Sequence, residues 1–337
     1  MPPLRGVVFG MGGVARQSHL PALRALVGEG LPLEVIAGVD PRHGGTTLDG
    51  IPVLTTRAEL ARIEPIDFID ICTPTASHLE LVLWGLERGY HVACEKPVAM
   101  SGEQAAAIMA AARRARRVVF PCHQHRFNPA WTQLRSWVET GAIGRWHLAE
   151  FQVYRPRADH GSTGAAVPWR GQEAVSLGGV LLDHGTHLLY LLMDVAGTPT
   201  ALQAWSARLR HTGYDVEDTV QLMLEFGDRA ATLFLTWAGA ARENRIRFIG
   251  DRGQAEWRAG ELMLESADRR EVLDFTAALD KRAYTDWFAA LFRSFLAAAA
   301  SNDGAAGLAD VNRVARVLAL AYRSAAEGRR LLLEPQA

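Results

Sequence analysis

Lysine is nearly missing from this chain: among its 36 basic residues only Lys96 and Lys281 are lysines. Where almost every positive charge is written as Arg, a lysine suggests a position that wants a compact ammonium instead of a planar fork. Net charge is missing as well. The balance of −1 gives none of the basic field that nucleic-acid binding requires. No apolar run reaches the roughly 18 residues of a membrane span; the stretches 288–300 and 314–326 come nearest and are broken by Arg and Ser. The three cysteines, Cys72, Cys94 and Cys122, are an odd number without metal-ligand spacing, and they read as reduced, half-buried thiols of a cytoplasmic protein. No signal peptide is expected, because residues 4–9 already read as a strand with Gly-x-Gly directly behind it, and no internal repeat is present. What remains is a soluble globular chain. Its 337 residues exceed what one core usually supports, so two domains are expected.

The first half alternates strand and helix. A short apolar strand over 5–9 runs into Gly10-Met11-Gly12-Gly13-Val14-Ala15, and residues 15–27 have helical spacing. In such a G-x-G-x-x-A loop Gly10 allows the tight turn, Gly12 lets a pyrophosphate approach the backbone, and Ala15 lets helix and strand pack closely. The anion sits on the helix N-terminus, with the Met11, Gly13 and Val14 backbone around it. A second strand over 33–39 ends in Asp40, placed to accept hydrogen bonds from the adenosine ribose and to repel a 2′-phosphate. NAD is therefore favoured over NADP, although Arg42 could offset part of that repulsion. A strand over 66–72 leads into Thr73-Pro74-Thr75-Ala76-Ser77-His78, where Pro74 stops the strand and Ser77 can cap the helix over 78–88. Thr73 and Pro74 lie where parallel sheets bind ligands. His78 reads either as a cofactor contact or as a solvent-facing helix-start histidine. The strand over 91–94 leads to Glu95-Lys96-Pro97, and Pro97 biases Lys96 towards an extended backbone. A helix over 101–116 and a strand over 118–122 complete the expected β-α-β alternation.

A second constellation follows in Gly178-Gly179-Val180-Leu181-Leu182-Asp183-His184-Gly185-Thr186-His187. Read as a helix from Val180, it puts Asp183 and His187 one turn apart on one face. A carboxylate beside an imidazole that titrates near neutrality is the equipment of a general acid/base. His184 and His187 also spell His-x-x-His, but no third ligand stands at useful spacing, so no metal is expected. Between the two constellations, Arg126 and Asn128 could hold the cofactor or pack at the domain junction. Residues 155–178 form a long loop, in which Trp169 and Arg170 could cover a substrate, the indole stacking on an apolar sugar face.

The glycine loop, the strand-end Asp40, Thr73-Pro74-Thr75 with His78, and above all Glu95-Lys96-Pro97 followed by Gly178-Gly179, Asp183 and His187 resemble the glucose–fructose oxidoreductase, inositol dehydrogenase and rhizopine-catabolism (Gfo/Idh/MocA) family. The resemblance covers essentially the whole chain. It implies an α/β protein with an N-terminal Rossmann domain (1–122) that binds NAD or NADP. The rest (123–337) would be an α/β domain with a large, mainly antiparallel sheet, its last helix packing back on the first domain. It also implies that Lys96 touches substrate, with Glu95 and Lys96 on the cofactor side, that His187 is the acid/base, and that Asp183 binds a substrate hydroxyl and assists the histidine. His184 departs from the family, which more often has an apolar residue there.

Period-two patterns over 201–209, 219–226, 230–237, 245–249, 253–258 and 261–265 supply that sheet, and helices over 284–300 and 308–327 close the chain. The expected activity is hydride transfer between nicotinamide and a secondary alcohol of a sugar, cyclitol or related polyol. Alternatives are a redox-neutral epimerisation, elimination or glycoside cleavage on bound NAD(H), and a non-catalytic dinucleotide sensor. The large sheet leads to an expected homodimer or homotetramer, with no nucleic-acid or membrane partner.

Overall fold

A computed structural model describes residues 2–159, 167–280 and 283–334. Lys281 and part of the 155–178 loop lie outside them. The chain forms two compact units, Met1–Gln124 with Tyr284–Ala315, and His125–Ala283 with Arg316–Ala337. The expected division at residue 122 had only the last helix packing back on the first domain. The penultimate helix and the first half of the last one belong to the first unit, because their apolar faces are in its core.

The first unit is built on β1 (Leu4–Phe9), β2 (Leu33–Val39), β3 (Thr47–Leu48), β4 (Ile51–Leu54), β5 (Phe68–Ile71), β6 (His91–Cys94) and β7 (Val119–Pro121), in the order 3-4-2-1-5-6-7. The sheet has seven strands, two more than the five named from the residue pattern: Gly50, at a positive φ of 75°, turns a short β3–β4 hairpin that the pattern did not reveal. All other neighbours are parallel. Without the hairpin strand this is the doubly wound order, and the winding reverses at β1, so ligands are expected beyond the carboxyl ends of β1 and its neighbours. The strands are apolar almost throughout, as burial on both faces demands. One face packs under α2 (His78–Glu87), α3 (Gly102–Ala115) and the start of α8 (Ala305–Glu327), which contributes Leu308, Val311 and Ala315 to the core. On the other lie α1 (Leu20–Gly28) and α7 (Tyr284–Ser301), whose Phe295 meets Phe68 edge-on. The cysteines are buried, not half-buried.

In the second unit nine strands run β15-β14-β13-β12-β8-β11-β10-β9-β16. They are β8 (Trp146–Tyr154), β9 (Ala201–Ala207), β10 (Thr219–Phe226), β11 (Arg229–Thr236), β12 (Glu243–Gly250), β13 (Gly253–Arg258), β14 (Glu261–Ser266), β15 (Arg270–Asp274) and β16 (Leu331–Leu332). Only β8 and β11 pair in parallel. Along β10, Val220, Leu222 and Leu224 are buried while Gln221 and Met223 are exposed, which is the two-faced pattern of an antiparallel sheet. Helices α4 (Pro129–Glu139) and α6 (Thr186–Ala196) belong to the same unit. The long loop is not wholly irregular: Trp169–Gly171 makes a 3-10 turn, and α5 (Glu173–Ser176) a single helical turn.

Candidate active site

The candidate dinucleotide site begins where β1 ends. Gly10 has φ +84°, and a Cβ there would lie 2.9 Å from the backbone of Cys72 and Thr73, so only glycine fits. Built on Gly12 or Gly13, a Cβ would meet nothing within 4 Å; this is the cradle a pyrophosphate needs. The chain then makes a π turn, Ala15–His19, in which Leu20 N–H reaches back to the Ala15 carbonyl. Pro21, next in line, has no N–H to give the α-helical ladder, and α1 starts only at Leu20. Met11 is a core residue whose N–H donates to Asp40 Oδ2 at 2.9 Å. Asp40 Oδ1 accepts the Arg42 N–H, also at 2.9 Å, and the mostly exposed Arg42 side chain is 3.7 Å away. The Asp40 carboxylate thus ties the glycine loop to the β2 end. Two bonds leave room on its four lone-pair sites for ribose hydroxyls, so the residues present fit a dinucleotide.

Thr73 and Pro74 follow β5. Ser77 does not cap α2: its hydroxyl donates to Thr73 Oγ1 at 2.7 Å and to the Pro74 carbonyl at 2.9 Å, inside a 3-10 turn. His78 is buried and not solvent-facing. Its Nδ1 lies 2.8 Å from the Pro97 carbonyl and its Nε2 2.8 Å from that of Thr73. Both nitrogens can donate only in the charged ring, and burial works against that charge, leaving the pKa below its ordinary value. Glu95 also turns inward. Its Oε1 takes a hydrogen bond from His19 Nε2 at 3.0 Å, and its Oε2 accepts the Lys96 N–H at 3.2 Å. Lys96 itself precedes a cis proline.

The second unit carries Asp183 and His187, the pair expected to do acid/base work. Gly178 and Gly179 are buried, and side chains there would collide with the Tyr322 hydroxyl and the Glu217 carbonyl respectively. The Glu217 carboxylate accepts from Gly179 N–H at 3.0 Å, Leu181 N–H at 3.2 Å and the Tyr322 hydroxyl at 3.0 Å. Burial nevertheless pushes its pKa up. The helix expected from Val180 is not continuous, because Leu181–Gly185 is a π turn and α6 begins at Thr186. Asp183 and His187 straddle that change of pitch, and different partners fix them. Asp183 Oδ2 pairs with Arg170 Nε at 3.3 Å and His184 Nε2 at 3.8 Å. His187 Nδ1 lies 3.0 Å from the hydroxyl of the fully buried Tyr190, and its ring is 4.4 Å from that of His125. Tyr190 also accepts the His125 N–H at 3.1 Å, and the Arg126 guanidinium lies 5.2 Å over its ring.

Arg126 is a strut, held by Asp194 in a two-point pair of 2.6 and 2.8 Å, and Asn128 caps α4 through Ala130 N–H. Arg170 lies 4.4 Å over the Trp169 indole, so that face of the ring already has a partner. Sequence reasoning missed His19, Asp70, Glu217, Tyr190 and Tyr322. One signal was there: Asp70 is a lone acid in the apolar β5, and a buried charge demands a partner.

Comparisons with known proteins place the chain in a family. Residues 4–123 match the model of the oxidoreductase family with an NAD-binding Rossmann fold, and residues 131–256 match that of the GFO/IDH/MocA C-terminal domain. D-glucoside 3-dehydrogenase of Escherichia coli K12 is 28% identical over 285 residues, 75% of this chain and 76% of its own. The 1,5-anhydro-D-fructose reductase of Ensifer adhaerens is 28% identical over 286 residues, covering 80% and 83%. A levoglucosan dehydrogenase solved with NADH and L-sorbose superposes over 100% of both chains with a TM-score of 0.83 at 21% identity. With the doubly wound sheet, the open glycine cradle and both domain models in place, the chain belongs to the Gfo/Idh/MocA family of NAD-binding oxidoreductases.

Proposed function

We propose that this oxidoreductase acts on a secondary alcohol, or the corresponding ketone, of a sugar, cyclitol or related polyol, with His187 as acid/base and Lys96 as the substrate-orienting cation. The observation that carries the reading is the fixing of His187: a buried Tyr190 hydroxyl 3.0 Å from Nδ1 holds in place an imidazole, the group that exchanges protons near neutral pH. Bound NAD supplies the hydride acceptor or donor. In the oxidative direction His187 takes the hydroxyl proton, and in the reductive direction it returns it. The Lys96 ammonium stabilises negative charge developing on the substrate oxygen, a contribution of several kcal/mol in a closed site. Asp183, steadied by Arg170, accepts a hydrogen bond from a substrate hydroxyl. The names of the curated relatives, a glucoside dehydrogenase and an anhydrofructose reductase, support a sugar substrate. The anchored Asp40 carboxylate supports NAD over NADP.

Among the described residues no helix is long and apolar enough to cross a membrane. The three free, buried thiols support a reducing, cytoplasmic setting. The exposed Leu148, Trp205 and Met223 of the second sheet support association into a homodimer or homotetramer.

The test is titration with NADH and NADPH followed by turnover on a panel of sugars and polyols. NADH should bind the more tightly, and one polyol should be oxidised. His187→Ala should lower kcat by about 10²- to 10⁴-fold and leave the NADH affinity within about twofold. An unchanged kcat would remove His187 from the chemistry.

A further inference from the structure

Beneath the helix that follows the glycine loop lies a buried chain of ionisable groups that the proposed reaction does not use. His19 has no exposed surface. Its Nδ1 lies 2.9 and 3.1 Å from the two carboxylate oxygens of Asp70, and its Nε2 lies 3.0 Å from Glu95 Oε1. Ionised carboxylates only accept, so both ring nitrogens must donate, and the ring that satisfies this geometry is the imidazolium. The other groups facing it come from three elements. Cys72, just past β5, puts its sulfur 3.2 Å from Nδ1, the Cys122 thiol lies within 4.8 Å of the ring's and Asp70's ligand atoms, and α7 turns the rings of Phe288 and Phe292 towards it at 4.2 and 5.3 Å. Burial, then the neighbouring carboxylates, hold both thiols well above their ordinary pKa, so they stay neutral. Burial also pulls His19 down, but Asp70 and Glu95 outweigh it and carry the imidazole up to about 9. Glu95 is pushed up by burial and brought below its ordinary value by His19 and Lys96.

From Glu95 the chain continues to the Lys96 N–H. On the other side of that dipeptide the Pro97 carbonyl meets His78, so the backbone around Lys96 is gripped at both ends. We propose that His19 is a positioning residue for Lys96: its imidazolium, anchored on Asp70, fixes the Glu95 carboxylate, which fixes the Lys96 backbone and ties that loop to the helix behind the dinucleotide cradle. The proposal rests on the reading of Lys96 as the substrate-orienting cation. Its force comes from the steepness of positional effects, since a displacement of about 1 Å can cost about 10²-fold in rate.

A double-mutant cycle tests it. His19→Gln cannot donate from both ends of a ring, and it should lower kcat about 10- to 100-fold while NADH affinity stays within about threefold. In the Lys96→Met background the same change should cost less than about threefold, because the group being positioned has gone. A full, additive loss in that background overturns the positioning role while leaving Lys96 in place. A harmless Lys96→Met overturns the role of Lys96, and this proposal with it. On the wild-type protein, which needs no variant to fold, ¹⁵N-histidine spectra should show both His19 ring nitrogens protonated at pH 7.5; a neutral ring there overturns the proposal.

Discussion

Two stretches of this chain are spelled almost alike and serve opposite ends. Gly12-Gly13-Val14 and Gly178-Gly179-Val180 each lead into a five-residue π turn and then an α-helix. Around the first pair a side chain would meet open space, whereas around the second it would strike Glu217 and Tyr322. The positive end of the second helix is already filled by the protein's own anion, the Glu217 carboxylate on Gly179 and Leu181 N–H. The first is left for an anion from outside. A glycine-led helix start is thus a ligand site only where the chain does not bring its own acid to it, and a local motif cannot tell the two apart.

That contrast can be broken by substitution. Gly179→Ala should destabilise the second unit by about 3 kcal/mol or more, because a backbone carbonyl cannot give way as a side chain can; wild-type thermal unfolding in this variant would mean the pocket is looser than described. Next in size is a pH effect confined to the first unit. The His19 pKa is raised from 6.5 to about 9, so its contribution to stability is fully present below pH 6.5 and is lost as the pH rises through about 9. The amount is about 3 kcal/mol, and His19→Gln should flatten the stability profile across that window in denaturant titrations. Smallest is Gly12→Val, which should leave unfolding unchanged and weaken NADH binding about 10- to 100-fold, as read by fluorescence titration. A variant that bound NADH normally would show that the open cradle is not where the cofactor's phosphates lie.

Much of the fold was legible in the residue pattern because periodicity is local: β10 and β13 have the bounds that alternation gives them. The hairpin of β3 and β4 and the two-residue β16 were not, since strands that short carry no period. In the site, the glycine loop, Asp40, Lys96, Asp183 and His187 stood out by spacing. His78, Glu95 and Arg126 stood out equally, yet their side chains bond to Pro97, His19 and Asp194, partners 19 to 76 residues away that no local pattern specifies. The π turns were hidden for a related reason: one depends on Pro21, which the sequence displays, but the other forms where Gly185 packs against Leu235, a contact made only in the folded unit.

The order in which the first unit is assembled follows from the helix that seals it. Phe288 and Phe292, which cover the His19 ring, are in α7, so a ribosome that has released residue 124 has not yet made the lid over the ion cluster. At about 5–20 residues per second, the nascent Rossmann sheet waits on the order of ten seconds with Asp70, Glu95 and His19 open to water. A truncation at the boundary between the units would leave that interval permanent.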